Sequence, residues 1–443
     1  MRANVTLMCT KLLLAFLLAI GLIGCSHAEE SSDPALDLLL KPPQDEADAG
    51  HKTVLRLWSF HQAMEYDFWQ WLAKAYEQTH PGIEIRVEYI SSDEYFSSNR
   101  LLSSFASGQG PDLFFVSAAT IRRFAEANIM YPLTDRFHPE LKADFYPNAL
   151  DSVTIGGEIY AVPFEMEMLG LFYNKEMFEK AGLAPPKTWD EMMNAAKRLT
   201  SPKVSGLTIE TYSGVFRNFS WLPFLWQTGA GILNAEGSAS GLSNPKSVKM
   251  YEFFREMVDQ GLLNLRPSRP TTDIGILASG ETAMQVSGSW NLRMLETEFA
   301  AEPIGVVPLP IPEGGTPMTI TGGWKIAANR QSEHAAEAAE FMMWAFAGKP
   351  DIPLKWLNET KFAYSPRQSV MALGVSSYRQ GLREVFTDQI FGTDRAEPKL
   401  PEEIGSIFSN TIQELLFGEQ TPQAIVEQAD RSIEAVLSSD VRK

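Results

Sequence analysis

Two acidic residues, Glu165 and Glu167, stand two positions apart in the run Phe164-Glu165-Met166-Glu167. On a strand they face one side. Paired carboxylates can cleave a glycosidic bond, but only from opposing sides of it at a defined separation. Neighbours on one strand suit that poorly. They suit hydrogen bonds to a solute, or a structural role, better. Flat apolar faces are the second kind of candidate, since indole rings can cover the C–H face of a ring-shaped solute. Trp221 lies in the aromatic run Phe216–Trp226, Trp290 follows Gly288-Ser289, and Trp324 follows Gly322-Gly323. Glycine lets backbone N–H groups approach a ligand closely, which makes Gly323 a candidate as well.

Other chemistry finds no footing. The six His are scattered without paired spacing, so no metal site is expected. There is no G-x-S-x-G elbow, Walker loop, H-E-x-x-H or G-x-G-x-x-G. No cofactor is implied. Lys+Arg 38 against Asp+Glu 55 gives a net charge of −17, the wrong sign for a nucleic-acid binder. The only two cysteines are Cys9 and Cys25. Arg2 and Lys11 supply a positive start, and Leu12–Ile23 is apolar but too short to span a bilayer. The segment ends in Leu22-Ile23-Gly24-Cys25, which resembles the bacterial lipobox, where the cysteine is lipidated. Cleavage there leaves 36 basic against 55 acidic residues and no thiol in the folded part. The expectation is a lipoprotein signal over 1–24 and a lipid-anchored acidic tether over 25–52, rich in Pro, Ser and Asp.

The elements that must position the candidates alternate in type. Thr53–Trp58 predicts a strand. A helix follows with Phe68, Trp71, Leu72, Ala75 and Tyr76 at helical spacing, so Trp71 is expected in the core. Ile83–Ile90 alternates as a half-buried strand, Asp93–Ser107 predicts a helix, and Asp112–Val116 a strand covered on both faces. This order implies βαβ units and a mainly parallel α/β sheet. Thr188 with Glu191 fits a capping box, Asn244 caps a helix that stops at Gly261, and Ser332 precedes a helix with Ala335, Ala338, Ala339, Met342, Met343 and Phe346 inward. Trp221, Leu222, Leu225 and Trp226 share helical spacing, so one of the two indoles belongs to the core.

Four stretches together make the chain resemble the family 1 extracellular solute-binding proteins, the sugar-type receptors of ABC importers. They are Leu55-Arg56-Leu57-Trp58 with His80-Pro81-Gly82-Ile83; Phe105-Ala106-Ser107-Gly108-Gln109-Gly110-Pro111-Asp112; Tyr160-Ala161-Val162-Pro163 through Tyr173-Asn174-Lys175 to Thr188-Trp189-Asp190-Glu191; and Gly280, Ala283-Met284, Gly288-Ser289-Trp290 and Gly322-Gly323-Trp324. The resemblance covers nearly all of 53–443. It implies a type II periplasmic-binding-protein fold of two α/β lobes, each a mainly parallel sheet flanked by helices, with the ligand cleft between them. Lobe 1 takes 53–165 plus 308–360, lobe 2 takes 168–305 plus 365–443, and hinge crossings fall near 166–167, 306–307 and 361–364. The resemblance also places Ser59 and His61 on a loop that reaches the ligand, Trp58 equally in core or loop, Glu167 at a ligand-binding position, Trp290 as a stacking ring, and Arg367 either in the cleft or in a latch salt bridge.

The expected function is an extracytoplasmic receptor, in the periplasm or at the cell surface, anchored by lipid on Cys25. A monomer captures a sugar or oligosaccharide by hinge closure and passes it to a membrane permease. Receptors for glycerol phosphate or a polyamine remain alternatives within the class, the latter because of Glu165 and Glu167. Outside the class the alternative is a secreted polysaccharide-acting enzyme.

Overall fold

Runs that are apolar at every position become strands covered on both faces, and Leu113–Val116 is buried throughout. The structure, a computed structural model, describes residues 52–97 and 100–440. The expected leader, Cys25 and all but the last residue of the tether lie outside the described residues. The strands used here are β1 (Thr53–Ser59), β2 (Ile83–Tyr89), β3 (Leu113–Val116), β4 (Val162–Pro163), β5 (Leu169–Asn174), β6 (Ser205–Thr208), β7 (Thr282–Gly288), β8 (Ile304–Val307), β9 (Thr319–Thr321), β10 (Lys325–Ala328) and β11 (Asp394–Ala396). The helices used are α1 (Met64–Thr79), α2 (Ala118–Glu126), α3 (Trp189–Leu199), α4 (Val215–Gln227), α5 (Ser247–Asp259), α6 (Ala335–Met342), α7 (Glu402–Phe417) and α8 (Pro422–Asp440).

The first lobe is built on the sheet β2-β1-β3-β10-β4 and the second on β8-β5-β7-β6. In the first, β2, β1, β3 and β4 run one way and β10 runs against them. In the second, β6, β7 and β8 run one way and β5 runs against them. Both sheets are therefore mainly parallel with one reversed strand. The exceptions share a cause. β5 enters the second lobe from the first and β10 enters the first from the second, so each starts at the cleft and runs away from it. The remaining strands bring the loops 59–61, 90–96, 117–120, 209–218 and 288–290 to the cleft, the preferred ligand side of such sheets.

Each lobe has its own apolar core. Trp69, Phe114, Phe115 and Trp356 lie in the first, and Trp221, Tyr251, Phe254 and Phe408 in the second. A smaller cluster, including Met166, Met168, Tyr364 and Tyr378, fills the hinge region. Trp69, rather than Trp71, is the fully buried indole of α1, because it and Phe68 face the sheet. Trp71 is only partly buried at the rim, with the Lys355 ammonium over its ring. Most local signals hold elsewhere. Thr188 Oγ1 accepts from Glu191 N and Glu191 Oε2 accepts from Thr188 N at the start of α3. Asn244 does not cap α5: Lys246 takes the cap position without a side-chain cap bond, and Asn244 Oδ1 accepts from Lys246 N in the turn before it, while Gly261 takes a positive φ just after the helix as expected. In α6, Ala335, Ala338, Ala339 and Met342 are buried.

Two expected lobe limits shift. Leu309 and Ile320 pack in the second core and β9 pairs with β11, so the chain returns to the first lobe at Gly322–Trp324 rather than at 306–307. Val370 packs in the first core, so the first lobe also takes residues beyond 365. Three crossing segments then lie side by side. Met166 and Tyr364 exchange both backbone bonds, at 2.7 and 2.8 Å, and Gly322 N donates to Glu167 O at 2.9 Å.

Gly323 holds this crossing tight. Its φ is +102°, and a Cβ there would lie 2.5 Å from the Glu165 carbonyl oxygen. Gly323→Ala should cost about 1–3 kcal/mol of stability through backbone strain alone, and more through the clash. Urea unfolding of both proteins checks this; equal midpoints would show that the crossing yields freely.

Candidate functional site

Glu165 and Glu167 do point to one side of their strand, and that side holds a lysine. Lys361 Nζ, from the third crossing, lies 3.2 Å from Glu165 Oε2, 2.8 Å from Glu167 Oε1 and 3.8 Å from Glu65 Oε1 on α1. Glu165 also accepts from Trp324 N at 2.9 Å and from Trp356 Nε1 at 2.8 Å. Burial opposes charge on Lys361, but the three carboxylates outweigh it and raise its pKa. Burial, with the charge of Glu165, pushes the Glu167 carboxyl up to about 8 against the pull of Lys361. The sequence candidates thus meet at the hinge, held by a residue that was not among them. A buried lysine opening the apolar run Lys361-Phe362-Ala363-Tyr364 was the signal available.

Ser59 and His61 do not line open space. Both are buried, and Ser59 Oγ lies 3.0 Å from His61 Nδ1. The imidazole stacks on Phe60 at 4.4 Å and packs against Trp69, Phe115 and Trp356. Burial, with Lys361 nearby, lowers its pKa well below the usual value and keeps it neutral. The loop turns inward because Phe60 takes the outer position, against Phe96 and Trp324. Trp58 is core too, its Nε1 donating to Glu88 Oε2 at 2.8 Å.

Trp221 is a correction. It is fully buried, donates to Glu210 O at 2.7 Å and packs edge-on against Phe254. Trp226 is buried as well, so α4 gives both indoles to the core. The face of α4 that reaches the cleft carries Phe216 and Phe219, three residues apart, a spacing that could have marked them. Arg367 is the second correction. It is a latch, not a cleft residue, and its partner is Asp144 at 2.7 Å rather than a hinge carboxylate. It also donates to the carbonyls of Phe346 and Gly348. Gly323 serves the close approach to Glu165 described above.

What remains is an aromatic wall shared by the lobes. Trp324, itself buried with the first core, stacks on Phe96 at 4.8 Å and meets Phe60 at 4.7 Å. Phe216 of the second lobe lies 6.3 Å from Trp324 and 6.4 Å from both Phe96 and Trp290. Trp290 is partly exposed, and Gly288 makes room for it, since a Cβ there would strike its ring. Phe96 is the one ring of this wall that also lines a cavity of about 360 Å³, bounded further by Thr120 and Arg123 from the first lobe and by Asn218, Leu222 and Ser409 from the second. Both arginines of its lining are paired: Arg122 with Glu126 at 3.3 Å, and Arg123 of α2 with Glu402 of α7 at 3.0 Å, the latter across the lobes, and the remaining charged residue of the lining is the buried Glu397. Among the described residues no group of three His, Cys, Asp or Glu is placed to hold a metal ion.

The hinge cluster carries a pH signature. A carboxyl raised on folding stabilises the protein fully below its unfolded pKa, about 4.3, and that contribution is lost as pH rises through the folded value, about 8. Glu167→Gln cannot titrate. Its melting temperature should match the parent at or below about pH 4 and overtake it progressively towards pH 8. Parallel curves would show that Glu167 is ionised throughout by its pairing with Lys361.

Comparison with known proteins agrees with this architecture. A putative binding protein of Brucella abortus (strain 2308) is 25% identical over 403 residues, 88% of this chain and 94% of its own length. The maltotriose-binding protein of Pyrococcus abyssi is 28% identical over 319 residues, 69% of this chain and 65% of its own. Among solved structures, an ABC transporter solute-binding protein from Thermotoga lettingae bound with α-D-tagatose superposes with a TM-score of 0.76 at 24% identity, covering 87% of this chain and all of that one. The family model for bacterial extracellular solute-binding proteins matches residues 62–350, and with its two lobes, three crossings and shared aromatic cleft the chain belongs to that family.

Proposed function

We propose that this protein is the receptor of an ABC importer that captures a neutral sugar or short oligosaccharide and delivers it to a membrane permease. The observation that carries the reading is the aromatic wall contributed by both lobes beside a cavity whose arginines are each paired with an acid. Rings offer flat faces to the C–H surface of a sugar, and arginines already answered by acids leave no free cation to attract an anion. The maltotriose-binding relative and the tagatose-bound structure support a saccharide. Trp290 and Trp324, with Phe96 and Phe216, are the proposed stacking surface. Glu165, Glu167, Ser59 and His61 support the hinge and the loop behind it. The acidic pair no longer argues for a polyamine, because Lys361 already answers it. Nor does the pair act in bond cleavage, since both carboxylates are committed to the same lysine. The two lobes are hinged near 165–168, 321–324 and 361–364, and the receptor works as a monomer outside the cytoplasmic membrane, tethered by a lipid on Cys25.

Two tryptophans separate binding from stability. Truncating a stacking anchor typically costs ~2–4 kcal/mol, so Trp290→Ala should weaken saccharide binding roughly 30-fold or more, at ~1.4 kcal/mol per decade. Its fold should survive. Trp221→Ala should instead cost about 3–5 kcal/mol of stability. Calorimetry with neutral saccharides, beginning with maltotriose, and thermal melts of both variants make the comparison. A Trp290 variant that keeps full affinity but melts early would place that ring in the core and sink the stacking assignment.

A further inference from the structure

One short segment of the second lobe reaches across to the first. Residues 397–402 follow β11 and lead into α7, both of the second lobe, and Leu400 packs against the second core. Pro398 and Pro401 fix φ on either side of Lys399 and Leu400, which stiffens the segment. Its polar groups turn the other way. The Lys399 carbonyl accepts from Arg122 Nε of α2 at 3.2 Å, and Glu402 meets Arg123 of α2 at 3.0 Å. The Lys399 ammonium lies against residues 151–154 of the first lobe. It donates to Thr154 O at 3.0 Å and to Asp151 O, and lies 3.1 Å from Asp151 Oδ1. An ammonium has three N–H donors, and here all three acceptors come from the opposite lobe. The first core holds them in place, since Val153 is buried in it and Ile155 packs against it. Lys399 also differs in position from its neighbours. Arg122, Arg123 and Glu402 line the cleft cavity, whereas Lys399, Asp151 and Thr154 do not. A solute in the cavity therefore leaves the Lys399 contacts untouched, while parting of the lobes breaks them together.

We propose that residues 397–402 form an interlobe clasp centred on Lys399, which favours the closed form with or without solute and so sets the affinity for every saccharide without choosing among them. The proposal rests on the receptor reading above and adds a regulation of that site. Ion pairs at the surface contribute little singly. An equilibrium between two conformations nevertheless moves by whatever contacts differ between them, and all of these differ. Apparent affinity scales with the share of molecules in the competent form, so loss of the clasp weakens all saccharides by one factor. Release quickens, because opening no longer has to break these contacts. Salt screens charged groups near the surface. A neutral saccharide then binds less tightly at high salt although it carries no charge of its own.

The test compares the parent with Lys399→Met, which keeps the apolar stem and removes the ammonium, and with Lys399→Arg, which keeps the charge. Calorimetry and stopped-flow binding use maltotriose and a second neutral saccharide, at low and high sodium chloride. At low salt Lys399→Met should bind both saccharides about three- to tenfold more weakly than the parent. The ratio between the two saccharides should stay the same, faster release should carry the loss, and the salt dependence should shrink. Lys399→Arg should recover most of the affinity. Asp151→Ala removes an acceptor at an exposed position and should show a smaller loss of the same kind; it takes the place of Lys399→Met if that variant does not fold. Small-angle X-ray scattering of the unliganded proteins at low salt needs no saccharide. The radius of gyration should be larger for Lys399→Met than for the parent and for Lys399→Arg. An unchanged radius overturns the proposal, as does unchanged affinity. A loss confined to one of the two saccharides overturns it too, because it would make Lys399 a selecting residue. If the parent takes up no neutral saccharide, the receptor reading fails, and the scattering still decides the clasp.

Discussion

Two carboxylates buried on one face of one strand repel each other, and burial alone would drive both to the neutral form. At the first crossing they stay together because Lys361 comes from the third crossing to meet them, at 3.2 and 2.8 Å. One ammonium thereby fastens two of the three segments on which the lobes turn. The third is fastened through Glu165, whose other bonds go to Trp324 N and Trp356 Nε1. The arrangement is demanding. Removing one partner of a buried ion pair typically costs about 3–5 kcal/mol, far more than the pair gains over an apolar substitute. It does fix geometry, because each member has few alternative partners once water is excluded. Trp324 is the first ring of the cleft wall, and its backbone is placed by the charge cluster behind it.

The direction of the strands carries the same constraint into the sheets. A chain that leaves one lobe through the hinge must begin its next strand at the cleft. That strand runs opposite to those whose carboxyl ends form the cleft. β5 and β10 are these strands. Their reversal puts the crossings at the floor of the cleft and leaves its walls to the loops after β1, β3, β6 and β7. Lobe motion and ligand contact then involve neighbouring residues. Gly322 shows how near: a Cβ there would lie 2.4 Å from the Phe219 ring of the opposite lobe.

What the sequence made legible follows the range of each signal. Short-range signals were mostly reliable: the capping box at Thr188 and the fully apolar strand at Leu113–Val116 appear, whereas Asn244 forms a turn two residues before the cap position that Lys246 takes. The pairing of Glu165 and Glu167 on one face needed only a period of two. Their partner could not be read this way, because Lys361 is almost two hundred residues further along the chain. The tryptophans failed for a related reason. Type and helical spacing cannot say which side of α4 faces the core, and Trp221 and Trp226 both went inward while Phe216 stayed partly exposed beside Trp290. Ser59 and His61 were placed on the right loop, but its side chains alternate, and Phe60 took the outward position. For Arg367 the sequence left cleft and latch open; it is a latch, and its acid is Asp144 and not a hinge residue.

Charge balance links these local outcomes to what the cleft can hold. The chain carries an excess of acid, yet cations at the cleft and hinge are answered by acids: Lys361 by the hinge carboxylates, and Arg123 by Glu402. Each of these pairs joins segments far apart in the chain, and the Arg123 pair joins the two lobes. Matching of this kind removes net field from the cleft without removing polarity. Short-range donors and acceptors remain, and long-range attraction for ions does not. A neutral, hydroxyl-rich ring is the solute that gains most there, because its hydrogen bonds and its apolar face are both short-range, and the same pairs that hold the lobes in register leave it no charged competitor.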